Sequence, residues 1–170
     1  MQQEEKVLKH AAVCFLRRGD QILLPRKMRK IGMGMRNGYG GGMDGDETPE
    51  ECAARETSEE ALISILPSSL KKIAILTYLN EKLDGGNFVA RVHMFEVWKW
   101  EGEPTATEEM SDPVWFPVDD LPLNEMMAAD RIWLPEALAG KKILAHAHYT
   151  PPQQKLMGEV RMEVVNEFLE

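Results

Sequence analysis

The stretch at 41–63 reads GGMDGDETPEECAARETSEEALI, and it decides how the central part of the chain folds. Its first half, rich in glycine and aspartate, is typical of a loop. Its second half predicts a helix over 49–63. Thr48 stands at the cap, Pro49 at the first helical position and Glu51 three residues after the cap, which is the pattern of a capping box.

Carboxylates recur along this predicted helix at helical spacing. Glu56, Glu59 and Glu60 are three and four residues apart, so a helix brings them to one face. Like charges packed together repel, and such a cluster therefore indicates a positively charged ligand. Hard oxygen ligands on a short span suit Mg²⁺ or Mn²⁺, and Mg²⁺ in proteins usually meets a phosphate. The competing interpretation is a solvated acidic face, which needs neither Gly41 nor Arg55 at a fixed spacing.

The spacing of these residues resembles the box of the Nudix family, G-x5-E-x7-R-E-U-x-E-E-x-G-U, in which U is aliphatic. The matching positions are Gly41, Glu47, Arg55, Glu56, Glu59, Glu60 and Ile63. The chain departs from the box at Thr57, which replaces the first aliphatic residue, and at Leu62, which replaces the second glycine. Both departures concern helix packing and the helix end, so we expect the charged site to be retained.

The resemblance implies an α/β (α+β) fold with a mixed β-sheet between helices, and hydrolysis of a nucleoside diphosphate linked to another group. It also implies a Mg²⁺ site, with Mn²⁺ as the alternative ion. The implied metal ligands are Glu56, Glu59, Glu60, Glu109 and the carbonyl oxygen of Gly40. Arg55 and the same glutamates are the implied catalytic residues. Arg55 would orient carboxylates through a charge-assisted pair with Glu47, and Gly41 and Glu47 have structural roles.

The sequence leaves open which group accepts a proton from the attacking water. Glu60 is one candidate, and Glu109 is another because the relatives carry a glutamate ahead of an M-x-P-x-W-F segment. This chain has one extra residue in 109–113, so Glu108 is a third candidate. An exposed acidic loop is an equally good interpretation of Glu108 and Glu109.

The likeness extends to the segment at 37–41, which reads NGYGG and resembles the oxidised-purine branch of the family. Residues implied to bind substrate are Lys27, Asn37, Tyr39, Gly41, Met127 and Asp130. Three departures weaken the base-reading set: Ala129 replaces an aspartate, Met127 an aromatic residue and Ile31 a phenylalanine. A solvated loop cation is the alternative interpretation of Lys27. The reaction is therefore better defined than the substrate.

Composition indicates one folded domain, spanning 1–170, with 44% hydrophobic residues. The net charge of −8 disfavours nonspecific binding to nucleic acid. No stretch is long enough to span a bilayer, and residues 1–9 are polar. Cys14 and Cys52 are predicted to be free thiols. We therefore expect a cytoplasmic monomer or homodimer that binds a small nucleotide, with no nucleic-acid and no membrane partner.

Periodicity and turn residues predict the other elements before and after the helix. A hairpin is expected at 9–16 and 21–25, followed by a basic, glycine-rich flexible loop at 26–42. This loop holds Arg26, Lys27, Arg29, Lys30 and Arg36. Further strands are expected at 71–80, 87–98, 114–116 and 143–149.

The C-terminal third is less clearly patterned. One or two short helices are expected within 121–138, where Pro135 would open or break a helix and Trp133 would lie in the core. The tail at 153–168 alternates like a strand that returns beside 143–149, although a terminal helix also fits.

Three interpretations of function are open at this point. The preferred one is an oxidised purine nucleoside triphosphatase that releases the monophosphate and pyrophosphate. A Nudix hydrolase for ADP-ribose, a nucleotide sugar or a dinucleoside polyphosphate is kept open by Ala129 and Met127. A domain that binds nucleotides without hydrolysis is disfavoured because the box glutamates are kept. His146 and His148 share a face of a predicted strand, but the sequence offers no evident third zinc ligand.

Overall fold

The computed structural model describes residues 7–30, 32–151 and 155–169. Within these ranges the chain forms nine β-strands and two α-helices. The strands are β1 (Val7–Arg18), β2 (Gln21–Lys27), β3 (Tyr39–Gly42), β4 (Leu70–Glu81), β5 (Asn87–Val97), β6 (Met110–Pro117), β7 (Lys142–Thr150), β8 (Lys155–Leu156) and β9 (Arg161–Val165). The helices are α1 (Pro49–Ala61) and α2 (Asp130–Leu138), and short 3-10 helices cover Pro67–Ser69 and Leu123–Glu125.

The nine described strands belong to one mixed sheet with the order β6-β2-β1-β5-β4-β7-β8. Strand β1 runs parallel to β5, and β4 runs parallel to β7, while the other neighbours are antiparallel. Strand β3 pairs with β1, and β9 pairs with β7. The predicted hairpin and the four further predicted strands are confirmed. The tail forms a strand beside β7, which decides between the two predicted alternatives.

The two α-helices lie on opposite faces of the sheet, because residues of β1 alternate between two cores. Cys14 and Leu16 pack with Ala53 of α1, whereas Phe15 packs with Trp133 of α2. The rings of Phe15 and Trp133 meet edge to face, with 6.2 Å between their centroids, and Trp133 is fully buried. The predicted mixed sheet between helices is confirmed, as is the core position of Trp133.

Helix α1 begins at Pro49, as the sequence predicts, and ends at Ala61, two residues before the predicted end. The Thr48 hydroxyl oxygen accepts from the Glu51 N–H at 3.1 Å, and the Glu51 carboxylate accepts from the Thr48 N–H at 3.1 Å. At the other end Leu62 is left-handed (φ 58°, ψ 43°), and its N–H donates to the Ser58 carbonyl at 3.0 Å. This conformation costs leucine about 1–2 kcal/mol. The predicted end at Ile63 was wrong because the chain turns at Leu62, where the family box has glycine.

Two further predictions, at 26–42 and at Pro135, are corrected. Strand β2 continues to Lys27, and the last four residues of the predicted loop form β3. A strand made mostly of glycine has no hydrophobic alternation to reveal it. Glycine is nevertheless required there, because a Cβ at Gly40 would lie 2.2 Å from the Ala12 carbonyl oxygen. Pro135 lies inside α2 and neither opens nor breaks it. Proline removes one hydrogen bond from the helix, and the packing of α2 on the sheet compensates for this loss.

Candidate active site

Strand β3 and helix α1 meet through two close contacts. A Cβ at Gly41 would lie 2.6 Å from Cδ of Glu56, so only glycine leaves room for this carboxylate. The Gly40 N–H donates to Oε1 of Glu60 at 2.8 Å. These contacts bring the Gly40 peptide beside two of the predicted metal ligands, and they give Gly41 a steric reason to be glycine.

Arg55 connects the loop before α1 to the carboxylates on α1. Its Nε and Nη2 donate to the two carboxylate oxygens of Glu47 at 3.0 and 2.7 Å, which is the pair expected from the sequence. Its Nη1 donates to Glu56 at 2.9 Å and to Glu59 at 3.5 Å, and its Nη2 donates to the Gly42 carbonyl at 3.2 Å. The hydrogen bonds from Arg55 lower the pKa of Glu47 to about 2, so Glu47 is charged at neutral pH.

Two glutamates of α1 have raised pKa values. Glu60 is 6% exposed, and burial raises its pKa to about 7, with repulsion from Glu56 and Glu109 adding to the effect. The hydrogen bond from the Gly40 N–H opposes this shift. Burial also raises the pKa of Glu56, against the effect of Arg55. Both shifts include repulsion between neighbouring carboxylates, which a bound divalent cation would relieve.

A cleft of about 280 Å³ opens beside the last turn of α1. It is lined by Arg29, Glu59, Glu60, Thr107, Glu108 and Glu109. The Thr107 hydroxyl donates to the Glu60 carbonyl oxygen at 2.7 Å, and the Thr105 N–H donates to the Ala61 carbonyl oxygen at 2.9 Å. These bonds anchor the loop before β6 to the end of α1, and they hold both glutamates of that loop near the α1 carboxylates.

The carboxylates around the cleft do not point at a common centre. Glu56 and Glu59 turn to Arg55, and a guanidinium nitrogen of Arg29 lies 3.4 Å from Oε1 of Glu109. In the part of the chain that the structure describes, no three histidine, cysteine, aspartate or glutamate side chains converge to hold a metal ion. Glu59, Glu60 and Glu109 nevertheless line one cleft, and their carboxylate oxygens are donors of the kind that divalent cations bind.

Lys27 lies between the acidic cleft and the residues predicted to read the base. Burial lowers its pKa, while the charges of Glu60 and Asp130 act in the opposite direction. A Cβ at Gly32 would lie 3.1 Å from the Met127 sulfur and 3.9 Å from Cδ of Lys27. Lys27 and Met127 therefore border the same space, next to Gly32.

Asp130 and Asn37, the two predicted base-reading residues, are each fixed by a hydrogen bond within their own segment. Asp130 is 3% exposed and accepts from Nε1 of Trp133 at 2.9 Å. Burial raises the pKa of Asp130 to about 6, and the Trp133 hydrogen bond and the charge of Lys27 oppose the shift. Asn37 is half-buried, and its Oδ1 accepts from the Gly38 N–H at 2.7 Å.

Tyr39 does not reach the surface of the site. It is fully buried in the core under α1, and it lies in register with Cys14, whose side chain shares that face of β1. Its side chain therefore packs in the core, and its predicted contact with substrate stays a prediction. Ala129 is also fully buried, and its N–H donates to the Tyr149 hydroxyl oxygen at 2.9 Å. Ile31, which the resemblance matched to a loop phenylalanine, lies outside the described residues.

A cluster of charged residues beside the predicted base pocket was missed by the sequence analysis. Arg36, which is 5% exposed, donates to Oδ2 of Asp112 at 2.8 Å, and Arg26 donates to Oε1 of Glu125 at 2.6 Å. These residues are far apart in the sequence, and each resembles an ordinary surface charge. The signal available was the extra residue in 109–113, a segment in which the structure has an irregularity of β6 at Asp112 and Pro113.

The other predicted candidates lie on β7, away from the cleft. His146 and His148 share one face of the strand, as predicted, and Nε2 of His148 is 3.3 Å from Oε1 of Glu81. Among the described side chains no zinc-binding group forms around them. No helix in the described ranges has the length and apolar character needed to cross a membrane.

Residues 7–137 match the family model described as the NUDIX domain. Two curated relatives are each named oxidized purine nucleoside triphosphate hydrolase. The relative from Danio rerio is 35% identical over 126 residues, which cover 74% of this chain and 77% of the relative. The relative from Mus musculus is 34% identical over 126 residues, with the same two coverages.

Solved structures share the fold. The MutT protein from Bacillus halodurans superimposes with a TM-score of 0.75 at 24% identity, covering 92% of this chain and 98% of that chain. A MutT NUDIX hydrolase from Burkholderia pseudomallei gives a TM-score of 0.61 at 26% identity, covering 77% of this chain and 95% of that chain. The chain therefore belongs to the Nudix family, and it is a hydrolase that acts on nucleotides. Nudix hydrolases generally use a divalent metal cation.

Proposed function

We propose that the protein hydrolyses an oxidised purine nucleoside triphosphate, such as 8-oxo-dGTP, to the monophosphate and pyrophosphate, and so removes damaged nucleotides from the pool. The observation that carries the proposal is the position of Lys27 between two regions. Its charge interacts with Glu60 in the acidic cleft and with Asp130 in the predicted base pocket. A triphosphate with its phosphates at the acidic cleft and its base beside Asp130 would span both. The names of the two curated relatives support this substrate class.

Mg²⁺ is the proposed cofactor, and Mn²⁺ prefers similar oxygen ligands. When bound, the cation would neutralise phosphate oxygens and lower the pKa of a bound water. The proposed ligands are Glu56, Glu59, Glu60, Glu109 and the carbonyl oxygen of Gly40. Arg55 restrains Glu56 and Glu59, and Glu47 in turn fixes the plane of its guanidinium group. The role of Arg55 is therefore to position the ligands.

Hydrolysis requires a group that takes the proton of the water molecule as its oxygen bonds to phosphorus. Glu60 is nearly buried and accepts from the Gly40 N–H, so its side chain is held in place. The side chain of Glu109 is 52% exposed and lines the same cleft, where it can pass a proton to solvent. We propose that Glu60 only binds the cation, and that Glu109 is both a ligand and the general base. Glu108, on the same loop, is the alternative base.

Asn37 and Asp130 are the proposed base-reading residues, with Met127 against the face of the base and Gly41 beside the phosphates. With a pKa of about 6, Asp130 is mostly charged at neutral pH and accepts hydrogen bonds from the base, and below that pH its protonated form also donates. Ala129 lacks the hydrogen-bonding group that the resemblance expects at its position.

The second candidate is hydrolysis of another nucleoside diphosphate derivative, such as ADP-ribose, a nucleotide sugar or a dinucleoside polyphosphate. The observation in its favour is the buried, apolar Ala129, because a weaker base site favours recognition through the rest of the substrate. A domain that binds nucleotides without hydrolysis is the third candidate, and the retained glutamates of α1 argue against it.

A substrate panel tests these candidates directly. The protein would be incubated with Mg²⁺ and 8-oxo-dGTP, 2-oxo-dATP, ordinary dNTPs, ADP-ribose, nucleotide sugars or dinucleoside polyphosphates, and the products separated by chromatography. We expect kcat/KM to be highest for an oxidised purine, with a monophosphate and pyrophosphate as products. Glu59→Gln should lower turnover by orders of magnitude, whereas Glu50→Gln on the same helix should not. A higher kcat/KM for another class of nucleotide would rule out the proposed substrate. If no nucleotide were hydrolysed, the third candidate, a domain that binds nucleotides without hydrolysis, would be favoured.

We further propose one domain spanning 1–170, in the cytoplasm, as a monomer or homodimer without nucleic-acid or membrane partners. Cys14 and Cys52 are free thiols buried in the core, which suits a reducing compartment. The net charge of −8 disfavours binding to nucleic acid. Light scattering of the purified protein, with and without added DNA, measures the assembly and tests the last point.

A further inference from the structure

The segment at 32–37 leads into Asn37 and is folded back along β2. The Lys27 N–H donates to the Met35 carbonyl oxygen at 2.9 Å, and the Asn37 N–H donates to the Pro25 carbonyl oxygen at 3.1 Å. These bonds fix the segment relative to β2. They do not fix its distance from the turn before α2, which carries the other residues of the proposed base pocket.

Arg36 makes the connection to the other two walls of this pocket. Its Nη1 donates to the carbonyl oxygens of Leu24 and Asp112 at 2.8 and 2.9 Å, and its Nη2 donates to Oδ2 of Asp112 at 2.8 Å. Its backbone N–H donates to the Glu125 carbonyl oxygen at 2.8 Å, and its Nε lies 3.7 Å from Oε1 of Glu125. One nearly buried arginine thus ties the segment that carries Asn37 to β6 and to the turn before α2.

Asp112 can hold Arg36 because β6 is irregular at this point. The pairing of β2 with β6 slips between Leu24 and Arg26, so that Asp112 and Pro113 face one residue of β2, as in a β-bulge. Asp112 has φ of 46°, a conformation that residues with side chains rarely adopt. The bulge lies in the segment where the sequence has one residue more than the family pattern, and both the carbonyl and a carboxylate oxygen of Asp112 accept from Arg36.

Glu125 joins the cluster from the opposite side. Arg26 donates to Oε1 of Glu125 at 2.6 Å and to the Gly34 carbonyl oxygen at 2.7 Å. The hydrogen bond from Arg26, together with the charge of Arg36, lowers the pKa of Glu125, so this carboxylate is charged at neutral pH. Because removal of one partner leaves others uncompensated in a partly buried cluster, the position of each residue depends on its neighbours.

We propose that Arg36 is a positioning residue that sets the distance between Asn37 and the turn before α2, and thereby the selectivity for the nucleobase. It acts through Asn37 and Glu125 and does not itself touch the substrate. The inference rests on the proposed function to the extent that a nucleobase occupies this pocket. It does not depend on which phosphate bond is cleaved or on the metal.

Arg17→Met provides a matched control for Arg36→Met. Arg17 is 6% exposed, donates to a carboxylate oxygen of Glu96 at 2.8 Å and lies 4.5 Å from the ring centroid of Trp98, near the β1–β2 turn. Arg36 likewise lies 5.2 Å from the ring centroid of Phe116. Both substitutions remove a nearly buried cation, but the side chain of Glu96 is only 8% exposed, whereas the partners Asp112 and Glu125 of Arg36 are 62% and 37% exposed. Arg17→Met should therefore lower thermal stability at least as much as Arg36→Met, so a general loss of stability would weaken binding in both variants.

The experiment measures dissociation constants of 8-oxo-dGMP, dGMP, dAMP and AMP by calorimetry, without divalent metal, for the wild type and both variants. For the monophosphate that the wild type binds most tightly, we expect the dissociation constant to rise about tenfold or more in Arg36→Met. We expect a change of less than about threefold in Arg17→Met, and a smaller preference among bases only in Arg36→Met. Adding Asp112→Asn to Arg36→Met should weaken binding no further, because both substitutions break the same contact.

Equal changes in the two variants, or unchanged selectivity in Arg36→Met, would overturn the positioning role. A wild type that binds none of the four monophosphates would also overturn it, because the pocket would then not be a nucleobase site. The proposed function is decided separately by the turnover of triphosphates in the substrate panel, so the two failures are distinguishable.

Discussion

Gly41 and Glu56 are in direct contact, since a Cβ added to Gly41 would lie 2.6 Å from Cδ of Glu56. On its other side the Glu56 carboxylate accepts from Nη1 of Arg55 at 2.9 Å. The carboxylate is therefore held between β3 and the arginine of the same helix. The first glycine of the family box thus has a steric function, which is to leave room for a glutamate fifteen positions further on.

Gly41→Ala should displace the Glu56 carboxylate and lower both the apparent affinity for Mg²⁺ and, by about tenfold or more, kcat/KM. Gly42→Ala is the matched control, because a Cβ there would lie 4.0 Å from the His10 carbonyl oxygen, an ordinary contact distance. Neither glycine has a positive φ, so backbone strain does not distinguish them. Activity as a function of Mg²⁺ concentration, with thermal unfolding beside it, measures both effects. Equal losses in the two variants would contradict the steric explanation.

Arg55→Met should reduce kcat and the apparent Mg²⁺ affinity, and it should speed amide hydrogen exchange in 43–47. The reason is that Arg55 links Glu47 to Glu56 by hydrogen bonds of 2.7 to 3.0 Å. Glu47→Gln should have a smaller effect, because Arg55 keeps its bond to Glu56. In a double-mutant cycle, Glu47→Gln should change little once Arg55 is replaced. Additive effects of the two substitutions would show that the pair does not act as a unit.

The sequence predicted the features that depend on local spacing. The capping box of Thr48 and Glu51, the helix face with Glu56, Glu59 and Glu60, and the pair of Arg55 with Glu47 all follow from distances along a helix or from the family box. A helix end near Leu62 could have been predicted, because Leu62 occupies the position of a glycine in the family box. Its left-handed conformation is forced by the turn that follows and not by its own preference.

Features that depend on tertiary pairing were not predictable. Strand β3 lacks a hydrophobic alternation, and pairing with β1 alone makes it a strand. The same pairing directs the side chain of Tyr39 into the core, which the sequence did not predict. The cluster of Arg36, Asp112 and Glu125 joins three segments that are separate in the sequence, so no local sequence pattern predicts it.

Glu109→Gln and Glu108→Gln separate the two candidate bases on the loop before β6. Both side chains are exposed and line the same cleft, but it is the charge of Glu109 that acts on Glu56 and Glu60, which places Glu109 nearer the proposed ligands. We expect Glu109→Gln to lower kcat by about 10²–10⁴-fold, as loss of a general base does, and Glu108→Gln to leave kcat nearly unchanged. Steady-state kinetics across pH measures this, because the acidic limb should disappear in the variant that lacks the base. The reverse ranking would move the role to Glu108.

Asp130→Asn should stabilise the protein at neutral pH and leave its stability unchanged in acid. Burial raises the pKa of Asp130 from 3.8 to about 6, so the folded state binds this proton more tightly than the unfolded state does. The free energy of unfolding therefore falls as the pH rises from 3.8 to about 6, and it stays lowered above that range. Asparagine keeps an oxygen that accepts from Trp133, so the gain above this range should be on the order of 2 kcal/mol. Urea unfolding of both proteins at several pH values measures the difference, with the exposed Asp119→Asn as control; a gain that is the same at every pH would contradict the raised pKa.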